Sequence, residues 1–158
     1  MGGAALVVEA SAATRVSRTS REVLEFVLDL DRYRQADTKI RKVTRPVVLD
    51  HNQRGSTRYW GRLRGMPPAP DTNLVELTPW TRLTFTGAPR QLGRIAMNFT
   101  GSFDCVERDG ECEVTHSYTM QFRRPLRLLY EPMVRRWLQD ETEQEMARLR
   151  ELLDGSAA

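Results

Sequence analysis

The stretch CEVTHSYTMQF, residues 112–122, alternates between apolar and polar side chains and decides the fold. Alternation with a period of two residues predicts a β-strand that buries one face and exposes the other to solvent. The apolar residues on the buried face are Cys112, Val114, Tyr118, Met120 and Phe122. His116 falls on the same face, so the predicted strand places an imidazole and a phenol among apolar side chains.

A tight turn, ERDGE, precedes this strand. An Asp-Gly pair between two alternating segments is typical of a two-residue hairpin loop. If residues 109–110 are the centre of this loop, His116 faces Phe103 on the neighbouring strand. The same register makes Cys105 and Cys112 diagonal neighbours, which is a poor arrangement for a disulfide. We therefore expect two buried thiols.

The composition is that of an ordinary globular chain. Its 158 residues suggest one domain, 1–158, and are enough to bury a substantial core. Hydrophobic residues make up 40% of the chain and charged residues 28%. No apolar run approaches the ~18 residues of a membrane helix. The start, MGGAALVVEA, lacks the basic region of a signal peptide, and we expect a cytoplasmic protein.

Several classes of function are disfavoured by what the sequence lacks. The net charge of +3 comes from scattered arginines rather than from a basic stripe, which argues against nucleic-acid binding. Two cysteines and two histidines without ligand spacing argue against a zinc site. No catalytic triad, glycine-rich phosphate loop or paired-carboxylate motif is legible. We therefore expect no metal, no cofactor, and neither hydrolase nor nucleotide chemistry.

The chain divides into a strand, two short helices, six further strands and one long helix. TSRE, residues 19–22, has the form of a capping box, and Asp31 is predicted to cap a second helix that reaches Tyr33. The long helix is predicted at 123–155, where Pro132 should kink it or delay its regular start. The strands are predicted at 6–17, 40–49, 56–64, 73–78, 81–87, 94–107 and 111–122.

This order predicts an α+β fold with a helix-grip arrangement. A curved seven-stranded antiparallel sheet would wrap around the long C-terminal helix, with two short helices after the first strand. The sheet must cover its apolar face, and the long helix is the one element able to do so. A strongly curved sheet leaves space against a helix, and a ligand would lie in that space.

The element order resembles that of the START-like (SRPBCC) superfamily, and four pieces of sequence carry the resemblance. They are SRTSREVLEFVLDLDRYRQ (17–35), Gly55, LVELTPWTRLTFTG (74–87) and GECEVTHSYTMQF (110–122). Within the superfamily the chain looks like the bacterial polyketide cyclase/dehydratase and lipid-transport group. The resemblance implies a helix-grip domain that binds an apolar or aromatic molecule between sheet and helix. The family often carries Trp where this chain has Ala36, so an aromatic at one end of the cavity is missing.

The inward-facing residues of the predicted strands and helix form the expected ligand site. A mostly apolar lining with a few polar groups is the usual makeup of a small-molecule site. The expected residues are Tyr59, Phe85, Met97, Phe99, Phe103, His116, Tyr118, Met120, Tyr130, Met133 and Trp137.

Strand direction predicts where this cavity opens. Antiparallel strands place their connections alternately at the two ends of the sheet, and the longer, Pro- and Gly-rich connections all fall at one end. The residues expected to form the rim there are Met66, Pro67, Pro68, Arg90, Leu92, Arg123, Arg124 and Arg127.

His116 and Tyr118 admit two interpretations. They are either core residues whose polar atoms are satisfied by neighbours, or groups that orient a ligand. In the second case, the imidazole would transfer a proton at an enolisable ketone while the phenol holds the oxygen. Arg45 is a further catalytic candidate because it has inward-facing parity, although Pro46 can bulge its strand and turn it outward.

Three functions are compatible with these expectations. The first is binding of a hydrophobic or aromatic, lipid- or polyketide-like small molecule. The second is a polyketide cyclase/aromatase that acts on a poly-β-ketone delivered by an acyl carrier protein. The third is a non-catalytic interaction or quinone-chaperone module. We expect a monomer or a homodimer in each case.

Overall fold

A computed structural model describes residues 7–88, 97–124 and 126–155, and their strands form one seven-stranded antiparallel sheet. The strands are β1 (Val8–Val16), β2 (Ile40–Arg45), β3 (Arg54–Gly61), β4 (Ala69–Thr78), β5 (Arg82–Gly87), β6 (Met97–Arg108) and β7 (Glu111–Phe122). The helices of this part of the chain are α1 (Ser20–Leu28), α2 (Leu30–Tyr33) and α3 (Leu126–Gly155). The strand order is β1-β7-β6-β5-β4-β3-β2, and the predicted α+β helix-grip fold is confirmed.

The β6–β7 hairpin has the predicted register. Phe103 is opposite His116, and Gly101 is opposite Tyr118. Both central residues of the turn have left-handed backbone, with φ of 53° at Asp109 and 78° at Gly110. This is the geometry of a type I′ turn, whose twist matches that of the two strands it joins.

The first helix begins as predicted, but the second is capped by a different residue. The Thr19 hydroxyl accepts from the Glu22 N–H at 3.1 Å, and the Glu22 carboxylate accepts from the Thr19 N–H at 2.8 Å. Asp29, rather than Asp31, caps α2, because α1 ends at Leu28 and leaves Asp29 as the boundary residue of both helices. Its carboxylate accepts from the Arg32 N–H at 3.4 Å.

Two strand boundaries differ from the prediction by four residues. β2 ends at Arg45 instead of 49, because Pro46 follows it and cannot donate to a sheet ladder. β4 begins at Ala69 instead of 73, so its first residues include Pro70. Pro70 pairs with Trp60 of β3, whereas the pairing with β5 starts at Asn73, and the missing N–H of Pro70 interrupts no described bond to β5. Residues 94–96 of the predicted sixth strand lie outside the described residues.

The long helix α3 packs along the edge strand β1 and seals it. The Gln139 amide accepts from the Ser11 N–H at 3.1 Å and donates to the Ser11 carbonyl at 2.9 Å. A glutamine therefore pairs with the strand edge as a neighbouring strand would. The helix runs through Pro132 from Leu126 onward, so this proline does not delay its start.

Both cysteines are buried free thiols. Cys105 is opposite Val114 and Cys112 is opposite Glu107, which is the predicted diagonal relation. The hydrogen bond between the two thiols is the main cause that holds the pKa of Cys112 down at about 7.

Gly110 gives a test of the hairpin. Gly110→Ala should lower the free energy of unfolding by about 1–2 kcal/mol, because an added Cβ strains a left-handed residue although open space surrounds it. Gly155→Ala is the matched control, since its Cβ would also meet open space without a left-handed φ. Urea unfolding of both variants measures the difference, and equal stabilities would contradict the turn geometry.

Candidate functional site

A cavity of about 450 Å³ lies against strands β2 to β7, the segment before β2 and the β3–β4 connection. Among the described residues that line it, none belongs to α3. The apolar part of the lining includes Ile40, Leu63, Met66, Pro67, Ala69, Pro70, Met97, Phe99 and Met120. Three polar residues, Asp37, Lys39 and Tyr118, border the cavity and are at most 8% exposed. We call their position the inner end of the cavity.

The inner end belongs to a buried polar cluster that we define as Tyr33, Asp37, Lys39, His116, Tyr118 and Glu145. Glu145 of α3, with an exposure of 0%, is its centre. Its carboxylate accepts hydrogen bonds from the Tyr33 hydroxyl, from the Tyr118 hydroxyl at 3.0 Å and from the Lys39 ammonium at 2.9 Å. One carboxylate therefore joins α3 to α2, β7 and the segment that leads into β2.

Asp37 and Lys39 form an ion pair beside Glu145. The Lys39 ammonium lies 2.8 Å from Asp37 Oδ1, and the Lys39 backbone N–H donates to the same oxygen at 3.0 Å. The ammonium also lies 4.8 Å from the centre of the Tyr118 ring. Lys39 thus sits between two carboxylates and an aromatic face, which is how a buried charge is usually compensated.

His116 lies behind Tyr118 as seen from the cavity, with ring centres 4.1 Å apart. Its Nδ1 is 2.9 Å from the Ser102 carbonyl, and since a carbonyl only accepts, Nδ1 carries a hydrogen. Its Nε2 is 3.2 Å from Glu145 Oε1, within ion-pair distance but without the alignment of a hydrogen bond. The ring stacks on Phe103 at 3.8 Å between centres. These contacts make His116 part of the core support rather than of the cavity lining.

The burial and charges of the cluster shift several pKa values. Burial by itself would raise the pKa of Glu145, but Lys39 and His116 outweigh it and hold that pKa well below its usual range. Burial and the charge of Glu145 raise the pKa of Asp37. Burial would lower the pKa of Lys39, but its two carboxylate neighbours raise it instead. Lys39 is therefore held as an ammonium ion and is not available as an amine nucleophile.

Tyr118 remains a neutral phenol. Burial, followed by the charges of Asp37 and Glu145, raises its pKa well above the usual value. A neutral phenol donates one hydrogen bond and still accepts others. At the inner end of the cavity it can therefore donate to Glu145 and accept from a ligand.

A second layer holds the 36–39 segment against α3. Arg148 donates to the Ala36 carbonyl at 2.8 Å and pairs with Glu141 at 2.6 Å. The Thr38 hydroxyl donates to the same Glu141 carboxylate at 3.0 Å. This layer keeps Asp37 and Lys39 in place without itself bordering the cavity.

A smaller polar group lies on β3 and β4. The Asn73 amide donates to the Tyr59 hydroxyl at 3.0 Å, and the Tyr59 hydroxyl is 3.4 Å from the Asp71 carboxylate. Tyr59 and Asp71 border the cavity. This group and the inner end both supply polar atoms to the cavity lining, which also includes Arg62 and Asn98.

The structure brings together part of the expected ligand site. The expected residues that border the cavity are Tyr59, Met97, Phe99, Tyr118 and Met120, and the rim residues Met66 and Pro67 also border it. Phe85 and Phe103 instead pack in the core, with ring centres 6.4 Å apart.

The three α3 residues lie away from the cavity lining. Met133 packs directly against Gly65 of the β3–β4 connection. Met133 and Trp137 border a neighbouring surface groove of about 720 Å³, and Tyr130 packs beside the core near the cavity. The β3–β4 connection packs against this part of α3, and a role of these three residues in ligand binding stays a prediction.

Four of the expected arginines, Arg45, Arg123, Arg124 and Arg127, do not border the cavity. Arg45 is exposed and donates to the Ser56 hydroxyl at 3.1 Å, because the ladder shifts register between Val43 and Arg45. Arg123 and Arg124 are exposed, and Arg127 pairs with Glu131 at 3.2 Å. Arg90 and Leu92 lie outside the described residues.

Sequence reasoning missed four members of the polar cluster: Tyr33, Asp37, Lys39 and Glu145. One signal was available for Glu145, because it lies four residues before Leu149 and seven after Leu138, on the apolar stripe of α3. A second was that Lys39 is one of only two lysines in a chain with 24 basic residues. Neither signal reveals by itself that these residues meet.

The structure also bears on membrane insertion and on metal binding. None of the helices in the described part of the chain is long and apolar enough to cross a membrane. Within residues 7–88, 97–124 and 126–155, no cluster of three or more His, Cys, Asp or Glu side chains is suited to a metal ion.

Solved structures of other proteins share this architecture. Protein TTHA0849 from Thermus thermophilus is 16% identical, with a TM-score of 0.74 over 95% of this chain and 99% of that one. The Zhui aromatase/cyclase from Streptomyces sp. R1128 is 12% identical, with a TM-score of 0.73 over 97% of each chain. A START superfamily protein from Mycobacterium smegmatis is 14% identical, with a TM-score of 0.67 over 95% of this chain and 99% of that one. These likenesses show the fold, a helix-grip arrangement of a curved antiparallel sheet and a long helix.

The family follows from the sequence match. The model of the family described as "Polyketide cyclase / dehydrase and lipid transport" matches residues 7–154. The chain belongs to this family. No curated protein matches its sequence.

The central carboxylate gives a prediction on stability. Glu145→Gln should lower the free energy of unfolding by about 3–5 kcal/mol, because it removes one of the two carboxylate charges that balance the buried Lys39 ammonium. Glu151→Gln, an exposed position on the same helix, should change it by less than about 0.5 kcal/mol. Chemical denaturation at neutral pH compares the two, and similar small losses would show that Glu145 does not organise the cluster.

The depressed pKa of Glu145 gives a prediction on pH. Its ionised form stabilises the fold above its ordinary pKa of 4.5, and this stabilisation is lost as the pH falls below that value. Acidification should therefore destabilise the parent protein more steeply than Glu145→Gln in that range. Denaturation curves recorded at a series of pH values test this, and parallel stability profiles would contradict it.

Proposed function

We propose that this protein binds a hydrophobic or aromatic small molecule in the cavity. The observation that supports this most directly is the cavity itself, whose volume of about 450 Å³ is in the range of small-molecule sites. Its apolar lining would supply the affinity, and the polar inner end would fix the orientation of the ligand.

The kinds of side chain in the lining favour a ligand of adaptable shape. Met66, Met97 and Met120 contribute flexible thioethers, which fill irregular gaps and tolerate different shapes. Phe99 contributes an aromatic ring that suits a flat partner, and its centre lies 5.7 Å from that of Tyr118. Both features suit an aromatic or polyketide-like ligand.

A cyclase is the second candidate, and Asp37 and Tyr118 favour it. Asp37 is a carboxyl with a raised pKa and Tyr118 is a phenol, and both border the cavity. A carboxylate and a phenol are suited to proton transfer at an enolisable ketone. The family description mentions cyclases and the structurally similar Zhui protein is called an aromatase/cyclase, which supports this candidate.

A cyclase of this kind would receive its substrate from an acyl carrier protein. Arg123 and Arg124 are exposed where β7 ends, and they would attract an acidic carrier surface. The association rate should then fall with added salt, and the double variant Arg123→Ser, Arg124→Ser should associate more slowly. Equal rates for the parent and the double variant would remove these arginines from the proposal.

Filling the cavity tests the binding proposal. Leu63→Trp should weaken ligand binding by at least about tenfold, because an indole at this lining position occupies the ligand's space. Leu128→Trp is the matched control, since Leu128 is 85% exposed and does not border the cavity. Calorimetric titration with flavonoids, aromatic polyketides and fatty acids measures both variants beside the parent. Absence of saturable binding to the parent would overturn the proposal.

Incubation with a poly-β-ketone substrate distinguishes a cyclase from a binding protein, with the parent and the Leu63→Trp variant compared. An enzyme should release a cyclised, dehydrated product that the Leu63→Trp variant does not form. A binding protein should give the same product distribution as buffer alone. Mass spectrometry of the products decides between them.

A further inference from the structure

We propose that the inner end of the cavity selects ligands that donate a neutral hydroxyl hydrogen, such as a phenol or an enol, to Asp37 Oδ2. We further propose that it rejects ligands that place a carboxylate there. This inference rests on the proposed function and specifies the ligand class and the residue that determines it.

The Tyr118 hydroxyl lies within reach of three carboxylate oxygens at the inner end. Tyr118 has one hydroxyl hydrogen, and its oxygen is 3.0 and 3.2 Å from the two oxygens of Glu145. The same hydroxyl oxygen is 3.4 Å from Asp37 Oδ2. The Tyr118 hydroxyl donates its hydrogen to Glu145, because that carboxylate is nearer than the one of Asp37. Tyr118 Oη and Asp37 Oδ2 then face each other as two acceptors.

The other oxygen of Asp37 is already engaged. Oδ1 receives both the ammonium and the backbone N–H of Lys39, at 2.8 and 3.0 Å. Oδ2 therefore retains acceptor capacity, on a side chain that borders the cavity and is 6% exposed. A buried carboxylate oxygen gains most from a donor that enters with the ligand, and a hydroxyl is such a donor.

The charges at the inner end disfavour an anionic group. Asp37 and Glu145 bring two negative charges when ionised, against one positive charge on Lys39. The imidazole of His116 adds at most one more positive charge, and it faces Glu145 rather than the cavity. No excess positive charge remains to compensate a ligand carboxylate, whose desolvation would then be uncompensated.

The test uses three naphthalene probes of nearly the same shape. 2-Naphthol donates a neutral hydroxyl, 2-methoxynaphthalene only accepts, and 2-naphthoate carries a carboxylate. Calorimetric titration of the parent should rank naphthol tightest, by roughly 10- to 100-fold over the ether, as expected for a hydrogen bond to a charged acceptor. Naphthoate should bind more weakly than naphthol.

The variant Asp37→Asn should lose the preference for naphthol over its ether. Asp104→Asn is the matched control, because Asp104 is also ion-paired, with Arg82 at 2.8 Å, but lies away from the cavity lining. The control should keep the preference of the parent. A preference that persists in Asp37→Asn would assign the selection to another residue and overturn the inference.

The remaining outcomes separate this inference from the proposed function. Equal binding of the three probes, or tightest binding of naphthoate at Arg62 near the exposed end of the cavity, would overturn the inference alone. No binding of any probe would overturn both. If Asp37→Asn does not fold, the ¹³C shift of the Asp37 carboxyl in the parent decides instead. It should respond to naphthol and not to the ether, and an equal response would overturn the inference.

Discussion

The carboxylate of Glu145 is fully buried, and its need for compensating partners constrains how α3 and the sheet are arranged. A charge in such a place is costly unless several partners compensate it. Its partners come from distant parts of the chain: Tyr33 from α2, Lys39 from the segment that leads into β2, and Tyr118 from β7. These contacts fix the position of α3 more specifically than apolar packing alone would, because each has a defined distance and direction.

The position of this cluster also decides where a ligand can bind. It fills the space between α3 and the sheet at the level of His116, which stacks on Phe103 instead of facing a cavity. The cavity is left on the other side of Tyr118, towards the β3–β4 connection. Members of the polar cluster, among them Asp37 and Tyr118, consequently form the inner end of the cavity. Asp37 and Tyr118 therefore belong to the cluster that stabilises the fold and also border the space in which a ligand would lie.

Residue types that look alike in the sequence differ in their role because their neighbours differ. Asp29 and Asp31 are both suited to cap a helix, but only Asp29 stands where α1 ends and α2 begins. Arg45 has inward-facing parity, but a shift in the strand ladder turns it outward. Met133 lies on the apolar side of α3 and yet packs against Gly65 of the β3–β4 connection instead of lining the cavity. Parity and periodicity report which face a residue occupies, not what lies opposite that face.

Sequence alone predicts the order of the elements, the capping box at Thr19 and the β6–β7 register, because these depend on local periodicity and on turn chemistry at Asp109-Gly110. Five of the expected ligand-site residues border the cavity for the same reason: Tyr59, Met97, Phe99, Tyr118 and Met120. The contact between Lys39 and Glu145, which are more than one hundred residues apart, is visible only in the folded protein, with an N–O distance of 2.9 Å. Such a pair leaves no periodic trace, because its stability comes from burial and charge, and both exist only once the chain has folded.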